Sequence, residues 1–165
     1  MNQKTQKTLF SSKSDEWETG KDFFNGLKQY WDFDLDPCAT DSNHKCIKYY
    51  TSQDDGLSKD WGQHVSFMNP PYSEVKKWIK KAHQESLKEY TTVVCLIPSR
   101  TETINFKYCW DNATSLYFIQ GRLTFDNINN VKKSPAPFPS MLVVFEGKRE
   151  SNIKINLMDR QGNIL

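Results

Sequence analysis

Residues 65–72 read Val-Ser-Phe-Met-Asn-Pro-Pro-Tyr, a run of strand length followed at once by two prolines. The apolar composition of residues 65–68 predicts a buried strand. Pro70 and Pro71 end any strand or helix, because proline lacks a backbone N–H and has a fixed φ. From Ser73 a helix is predicted, with Ser73 able to cap its first turn. The stretch therefore predicts a strand, a short rigid loop and a helix in succession.

The flanking sequence extends this unit into an α/β pattern. Residues 75–82 place their apolar side chains at helical spacing, and residues 91–97 form an apolar run typical of a strand buried on both faces. Residues 40–63 are polar and predict mostly turns. The other predicted elements are helices at 21–31 and 103–112 and strands at 33–36, 116–119 and 141–145. This order predicts a mostly parallel sheet with antiparallel pairing near its C-terminal end.

Length and composition predict one domain from a chain of 165 residues. Residues 1–14 are polar and predict a flexible arm, so that residues 15–165 form the domain and residues 121–140 its one sizeable loop. A net charge of +2 excludes a polycation. We expect no membrane span, no secretory signal and reduced thiols. A zinc site from Cys38, His44 and Cys46 matches no standard spacing, so no metal is expected.

The loop at residues 69–72 carries groups suited to an exocyclic amine on a flat base. Such an amine is a poor nucleophile, because its lone pair is delocalised into the ring. The Asn69 side-chain carbonyl and the Pro70 backbone carbonyl could accept hydrogen bonds from the amine and stabilise the positive charge of the attack. Tyr72 offers a face on which an extruded base could stack. The structural alternative is a rigid turn without a ligand.

Residues 67–73, Phe-Met-Asn-Pro-Pro-Tyr-Ser, resemble the signature of amino-methyltransferases. From about residue 15 to residue 145 the chain resembles the phage-type DNA N6-adenine methyltransferase family (the phage Dam group). Further matching segments are 17–19, 33–39, 54–57, 60–61, 98–101, 121–122 and 138–141. The resemblance implies a Rossmann-like S-adenosylmethionine-dependent methyltransferase fold. It also implies direct methyl transfer to N6 of a flipped adenine in DNA, with Asn69, Pro70, Pro71 and Tyr72 as the catalytic residues.

The same resemblance implies a cofactor site for S-adenosylmethionine, which leaves as S-adenosylhomocysteine. Asp36 would meet the ammonium group, Thr19 the carboxylate, and Asp54 or preferably Asp55 the adenine. The implied cofactor-binding residues are Trp17, Thr19, Asp36, Pro37, Cys38, Ala39, Asp54 and Asp55.

Two departures from the family pattern concern this cofactor site. Gly20 stands where the family usually has proline, and the loop after Asp36 lacks a glycine-rich pattern. No acidic residue is readily placed at the ribose hydroxyls; Asp41 is the candidate.

The implied substrate is DNA, and a small DNA-recognition loop is expected around residues 121–140. The resemblance makes Phe138 an aromatic partner of Tyr72 around the flipped base, with a core position as the alternative. Loop cations on the substrate side are expected to contact phosphates, whereas lysines 76, 77, 80 and 81 are more typical of a solvated helix face. The expected phosphate-contacting residues are Arg100, Arg122, Lys132 and Lys133. A monomer in the cytoplasm of a bacterium or phage-infected host is expected.

Two alternatives stay open at the level of sequence. The Asn-Pro-Pro-Tyr tetrapeptide also occurs in enzymes that methylate RNA bases or glutamine side chains, so the fold could serve another substrate. A non-catalytic nucleic-acid-binding module could also retain the fold. Binding of S-adenosylhomocysteine separates these possibilities, because a ligand of the native state raises its stability.

Overall fold

A computed structural model describes residues 18–125 and 135–165. Within these ranges the chain forms helices α1 (Lys21–Leu27), α2 (Val75–Ser86) and α3 (Ile104–Asn112). The strands of the same ranges are β1 (Leu35–Asp36), β2 (Lys48–Tyr49), β3 (Val65–Met68), β4 (Thr92–Pro98), β5 (Ser115–Ile119), β6 (Ser140–Glu146) and β7 (Lys154–Met158). Short 3-10 turns occur at Gly56–Ser58 and Tyr72–Glu74.

The strands form one sheet in the order β2-β1-β3-β4-β6-β5-β7. Strands β1 to β4 are parallel, with Phe67 opposite Val94 and Met68 opposite Cys95. Strand β6 runs antiparallel between β4 and β5, and β7 pairs with β5 in parallel. The predicted α/β sheet, mostly parallel with an antiparallel strand near its C-terminal end, is confirmed.

Helices cover both faces because side chains alternate along the central strands. On β4, Val93, Cys95 and Ile97 join the core beneath α2 and α3. Val94 and Leu96 join the opposite core, beneath α1. A strand apolar on both faces is thus buried between two helical layers, as its composition predicts.

Five details differ from the sequence prediction, and the first is strand β7, which lies in a segment where no strand was predicted. Helix α1 ends at Leu27 rather than near residue 31, and residues 28–30 form a turn in which Tyr30 N–H donates to the Leu27 carbonyl at 3.0 Å. Strand β1 is two residues long, and Asp34 just before it bonds Val65 through both its backbone N–H and its carboxylate. Strand β2 lies in a segment predicted as turns. Ser73 lies inside a 3-10 turn and caps nothing, and Glu74 precedes α2.

Strands β1, β3, β4, β5 and β7 all end at one edge of the sheet, which we call the carboxyl edge. Strand β6 begins there because it is antiparallel. The segments that follow β1, β3, β4, β5 and β7, and the one that precedes β6, therefore meet along this edge. The division into an arm at 1–14 and one domain at 15–165 stays a prediction.

Candidate active site

A cavity opens at the carboxyl edge between β1 and β3. The chain passes from β1 to β2 on one side and reaches β3 on the other side of β1, so the loops diverge at this point. Ligands of parallel α/β sheets bind in such crevices. The cavity measures about 220 Å³ and is lined by Pro37, Cys38, Ala39, Thr40, Asn43, Thr51, Ser52, Asp55, Gly56, Leu57, Asn69, Pro71, Glu74 and Trp78.

The cavity lining combines charged, polar and apolar side chains. Two carboxylates, Asp55 and Glu74, lie beside three hydroxyl groups and two side-chain amides, and the other lining residues are apolar. A ligand that joins cationic groups, sugar hydroxyls and a flat base would find partners for each part. S-adenosylmethionine joins all three, so the residues present fit the cofactor implied by the sequence. The volume lies somewhat below the roughly 300–1,000 Å³ of drug-sized pockets.

Asn69 follows β3 directly and forms part of the cavity wall. Its Nδ2 donates to Thr19 Oγ1 at 3.0 Å, across fifty residues of sequence. Thr19 is 2% exposed, so this hydrogen bond is protected from water. Because an asparagine amide carries its donor and acceptor on opposite arms, anchoring Nδ2 orients Oδ1. The Thr19 hydroxyl keeps its proton to donate elsewhere.

Tyr72 lies edge-on to Phe138, with ring centroids 5.2 Å apart and planes at 78°. The structure therefore brings together the two aromatics that the family resemblance pairs. In this arrangement the rings touch each other and leave no parallel slot between them. The Tyr72 hydroxyl is buried without a hydrogen-bond partner among residues 18–125 and 135–165. Burial, with a smaller contribution from Cys38, raises the pKa of Tyr72 well above its usual range.

Asp36 lies at the end of β1 but is not part of the cavity wall. Its Oδ1 accepts from the Cys38 N–H at 3.3 Å and its Oδ2 from the Lys45 N–H at 3.0 Å. Burial raises the pKa of Asp36 to about 6, against the lowering effect of these two N–H groups. The carboxylate therefore holds the loop whose residues 37–39 form the wall.

The acidic turn at residues 54–56 separates its two carboxylates. Asp54 Oδ2 accepts from the backbone N–H and the hydroxyl of Thr51, both at 2.8 Å, whereas Asp55 lines the cavity. Gly56 allows the turn to pack against the backbone of Pro37, because a Cβ at this position would lie 1.9 Å from the Pro37 carbonyl oxygen. This geometry favours Asp55, the residue preferred from the sequence.

Of the four cations expected to contact phosphates, the structure describes two, and both lie at the carboxyl edge. Arg100 follows β4 and Arg122 follows β5, so both are exposed at the carboxyl edge. Lys132 and Lys133 lie outside the described residues, as does Trp17. On α2, Lys77 pairs with Glu74 at 2.6 Å, which fits a solvated helix face.

Several cavity residues were not predicted from the sequence. Asn43, Thr51 and Ser52 come from the polar segment that flanks β2, and Glu74 and Trp78 come from the start of α2. Trp78 belongs to the core, as predicted, and also lines the cavity; its indole N–H has no acceptor among the described residues. Its helical spacing signals burial but not which neighbour it faces. Asp41, the candidate for the ribose, instead accepts from the Tyr49 hydroxyl at 3.1 Å and is absent from the wall.

The structure does not bring Cys38, His44 and Cys46 together as zinc ligands. In residues 18–125 and 135–165, no three His, Cys, Asp or Glu side chains cluster as a metal site would require. His44 Nδ1 pairs with the Cys46 carbonyl oxygen at 2.9 Å, and all four cysteines are free thiols.

No helix of the described ranges has the length and apolarity that crossing a bilayer requires.

Comparison with known proteins places the chain among relatives of one kind. The model of the DNA N-6-adenine-methyltransferase (Dam) family matches residues 6–163. The DNA N-6-adenine-methyltransferase of Haemophilus phage HP1 is 30% identical over 168 residues, which cover 96% of this chain and 97% of that protein. The DNA N-6-adenine-methyltransferase of Escherichia phage T1 is 32% identical over 115 residues, 68% of this chain and 48% of that protein.

One solved structure resembles the chain more distantly. A Listeria monocytogenes protein described as a class I S-adenosylmethionine-dependent methyltransferase superposes with a TM-score of 0.47 at 12% identity. The superposition covers 95% of this chain and 71% of that one. A likeness of this size bears on neither substrate nor mechanism.

Proposed function

Because the chain belongs to the DNA N-6-adenine-methyltransferase family, we propose that it transfers the methyl group of S-adenosylmethionine to the N6 amine of adenine in DNA. The observation that carries the proposal is the position of Asn69. Its amide stands at the carboxyl end of β3, on the wall of the cavity, and is anchored through Nδ2 to Thr19. A carbonyl acceptor is thus held at the junction of the cavity and the Tyr72 loop.

In the proposed reaction Asn69 Oδ1 and the Pro70 carbonyl accept hydrogen bonds from the adenine amine. These bonds draw N6 toward tetrahedral geometry and stabilise the positive charge that develops on it. When bound, S-adenosylmethionine supplies an electrophilic methyl group on a sulfonium. The N6–methyl bond forms as the sulfur–methyl bond breaks, and N6 then loses one proton to solvent. No protein nucleophile is needed, and desolvation raises the pKa of the half-buried Cys38 thiol, which keeps it protonated.

The cavity wall supplies the remaining cofactor contacts of the proposal. Asp55 serves as the carboxylate beside the adenine ring, and the hydroxyl and amide groups from residues 40–52 serve the ribose in place of an acid. Residues 37–39 form the wall against which the ligand packs, and Asp36 holds that wall. The Thr19 hydroxyl, which keeps its proton, can donate to the cofactor carboxylate.

The DNA side of the proposal lies along the carboxyl edge. The flipped adenine stacks on Tyr72 and Phe138, whose rings must part to admit it, since they touch at 5.2 Å. Base–aromatic stacking contributes about 1–3 kcal/mol and offsets much of the cost of extrusion. Arg100 and Arg122 reach phosphates from the same edge, and we extend this role to Lys132 and Lys133. The expected setting is the cytoplasm of a bacterium or a phage-infected host.

The test is a labelling experiment. The protein is incubated with unmethylated DNA and methyl-labelled S-adenosylmethionine, the DNA is digested, and the labelled nucleoside is identified. Asn69→Ala is the test variant. Asn152→Ala is its matched control, because it makes the same change at an exposed site beyond the opposite edge of the sheet.

Label in N6-methyldeoxyadenosine that Asn69→Ala abolishes and Asn152→Ala retains supports the proposal. Cofactor binding without label in DNA contradicts the DNA assignment and directs the search to RNA bases or protein glutamine. Absence of S-adenosylhomocysteine binding leaves the non-catalytic nucleic-acid-binding module as the better reading.

A further inference from the structure

A second cavity lies at the carboxyl edge, apart from the candidate active site. It measures about 510 Å³ and shares no lining residue with the first cavity. It lies between the start of α1 and the segments that follow β5 and β7. We call it the basic groove, and its lining residues are Gly20, Lys21, Asp22, Phe23, Leu123, Thr124, Arg160 and Gln161.

The wall that carries Arg160 is rigidly built. Gly26 of α1 packs against the C-terminal turn so closely that a Cβ there would lie 1.8 Å from the Gln161 carbonyl oxygen. Within the turn, the Asp159 carboxylate accepts from the N–H groups of Gln161 and Asn163 at 2.8 and 2.9 Å. The turn thus holds the backbone of Arg160 in one place, so that binding need not order this backbone.

No carboxylate of the described residues pairs with the cations of the groove. Lys21 and Arg160 are exposed, and neither takes part in an ion pair within residues 18–125 and 135–165. The Arg160 side chain lies over Gly121, where a Cβ would meet its Cδ at 3.3 Å, so it is directed toward the segment that carries Arg122. Among the lining residues that the structure describes, Asp22 is the sole acid. The site therefore favours an anion.

The groove is continuous with the aromatic pair. Thr124 forms an antiparallel bridge with Pro135, and the Ala136 N–H donates to the Leu123 carbonyl at 2.8 Å. Phe138, which lies three residues after Pro135, touches Tyr72. One wall of the groove is thus tied directly to the segment that would hold the flipped base.

From this placement we propose that the basic groove binds the phosphodiester backbone of DNA beside the target adenine, with Lys21 and Arg160 as phosphate contacts. The inference rests on the proposed function, because it takes DNA as the substrate. Guanidinium and ammonium groups are suited to phosphate oxygens, and each contact releases condensed counterions from the DNA. The groove would fix the register of the strand, and the Tyr72 loop would receive the base.

The test compares two double variants that lose the same charge. Lys21→Gln/Arg160→Gln removes the groove cations, and Lys148→Gln/Lys154→Gln removes two exposed lysines from segments at the opposite edge. Affinity for a labelled adenine-containing duplex is measured by fluorescence anisotropy across a salt series with S-adenosylhomocysteine present. Thermal melting and S-adenosylhomocysteine affinity check that each variant is folded.

The affinity of the wild type for DNA falls as salt rises, and each phosphate contact contributes about 0.9 to the steepness of log K against log salt. For the groove variant, which loses two contacts, we expect this slope to be shallower than that of the wild type by about 1.8. At about 0.1 M salt its affinity for DNA should fall at least tenfold, while its affinity for S-adenosylhomocysteine is unchanged. A slope and affinity equal to those of the control variant would overturn the inference and leave the proposed function intact. A wild-type protein that binds S-adenosylhomocysteine but no DNA would overturn both.

Discussion

Replacing Thr19 by valine tests the link between the N-terminal segment and the catalytic loop. Valine matches threonine in shape but removes the hydroxyl that accepts from Asn69 Nδ2 at 3.0 Å. Since Thr19 is 2% exposed, water has little access to its position, and Nδ2 loses the buried acceptor that the Thr19 hydroxyl provides. The amide then loses the contact that keeps Oδ1 directed toward the amine.

The expected magnitude follows from the cost of one unsatisfied buried donor, about 1–3 kcal/mol. If that cost is expressed in the transition state, the rate of methyl transfer falls by roughly five- to 150-fold, because about 1.4 kcal/mol corresponds to a factor of ten. Thr19→Ser keeps the hydroxyl and should stay within about threefold of the wild type.

Single-turnover methylation with enzyme in excess over DNA isolates this chemical step from product release. S-adenosylhomocysteine affinity is measured in parallel, because a hydroxyl that also donates to the cofactor carboxylate would weaken binding as well. A Thr19→Val protein that is folded, binds the product normally and transfers methyl at the wild-type rate would refute the argument.

Three further predictions concern the cavity, the aromatic pair and β1. Asp55→Asn should weaken S-adenosylhomocysteine binding about tenfold in calorimetric titration, whereas Asp54→Asn, whose carboxylate serves its own turn, should change it less than about twofold; equal effects would contradict the assignment. Phe138→Ala should raise the KM for DNA by about five- to 150-fold through lost stacking, with product affinity unchanged; an unaltered KM would exclude the platform role. Burial raises the pKa of Asp36 from 3.8 to about 6, so the folded chain retains a proton that the unfolded chain releases. The wild type should therefore lose unfolding free energy relative to Asp36→Asn as pH rises from about 4 to 6, and urea unfolding that shows a constant difference would contradict this.

Elements with strong local signals were predictable from the sequence. Residues 65–68 and the helix after the two prolines were placed correctly, because apolar spacing and proline chemistry act within a few residues. Strand β2 was missed, since two residues in a polar segment carry no periodicity. Its position depends on pairing with β1, through backbone groups that every residue possesses.

The chemistry of the loop at Asn69 and Tyr72 was likewise readable in the sequence, because side-chain type limits what each residue can donate, accept or stack on. Which side chains share a wall was not readable. Asp36, the last residue of β1, holds the loop that follows it, whereas Glu74, just before α2, lines the cavity. The contact between Thr19 and Asn69, and the meeting of Lys21 with Arg160 in one groove, join residues far apart along the chain. Such contacts depend on how the strands order themselves and how the helices pack, and these are properties of the folded chain as a whole.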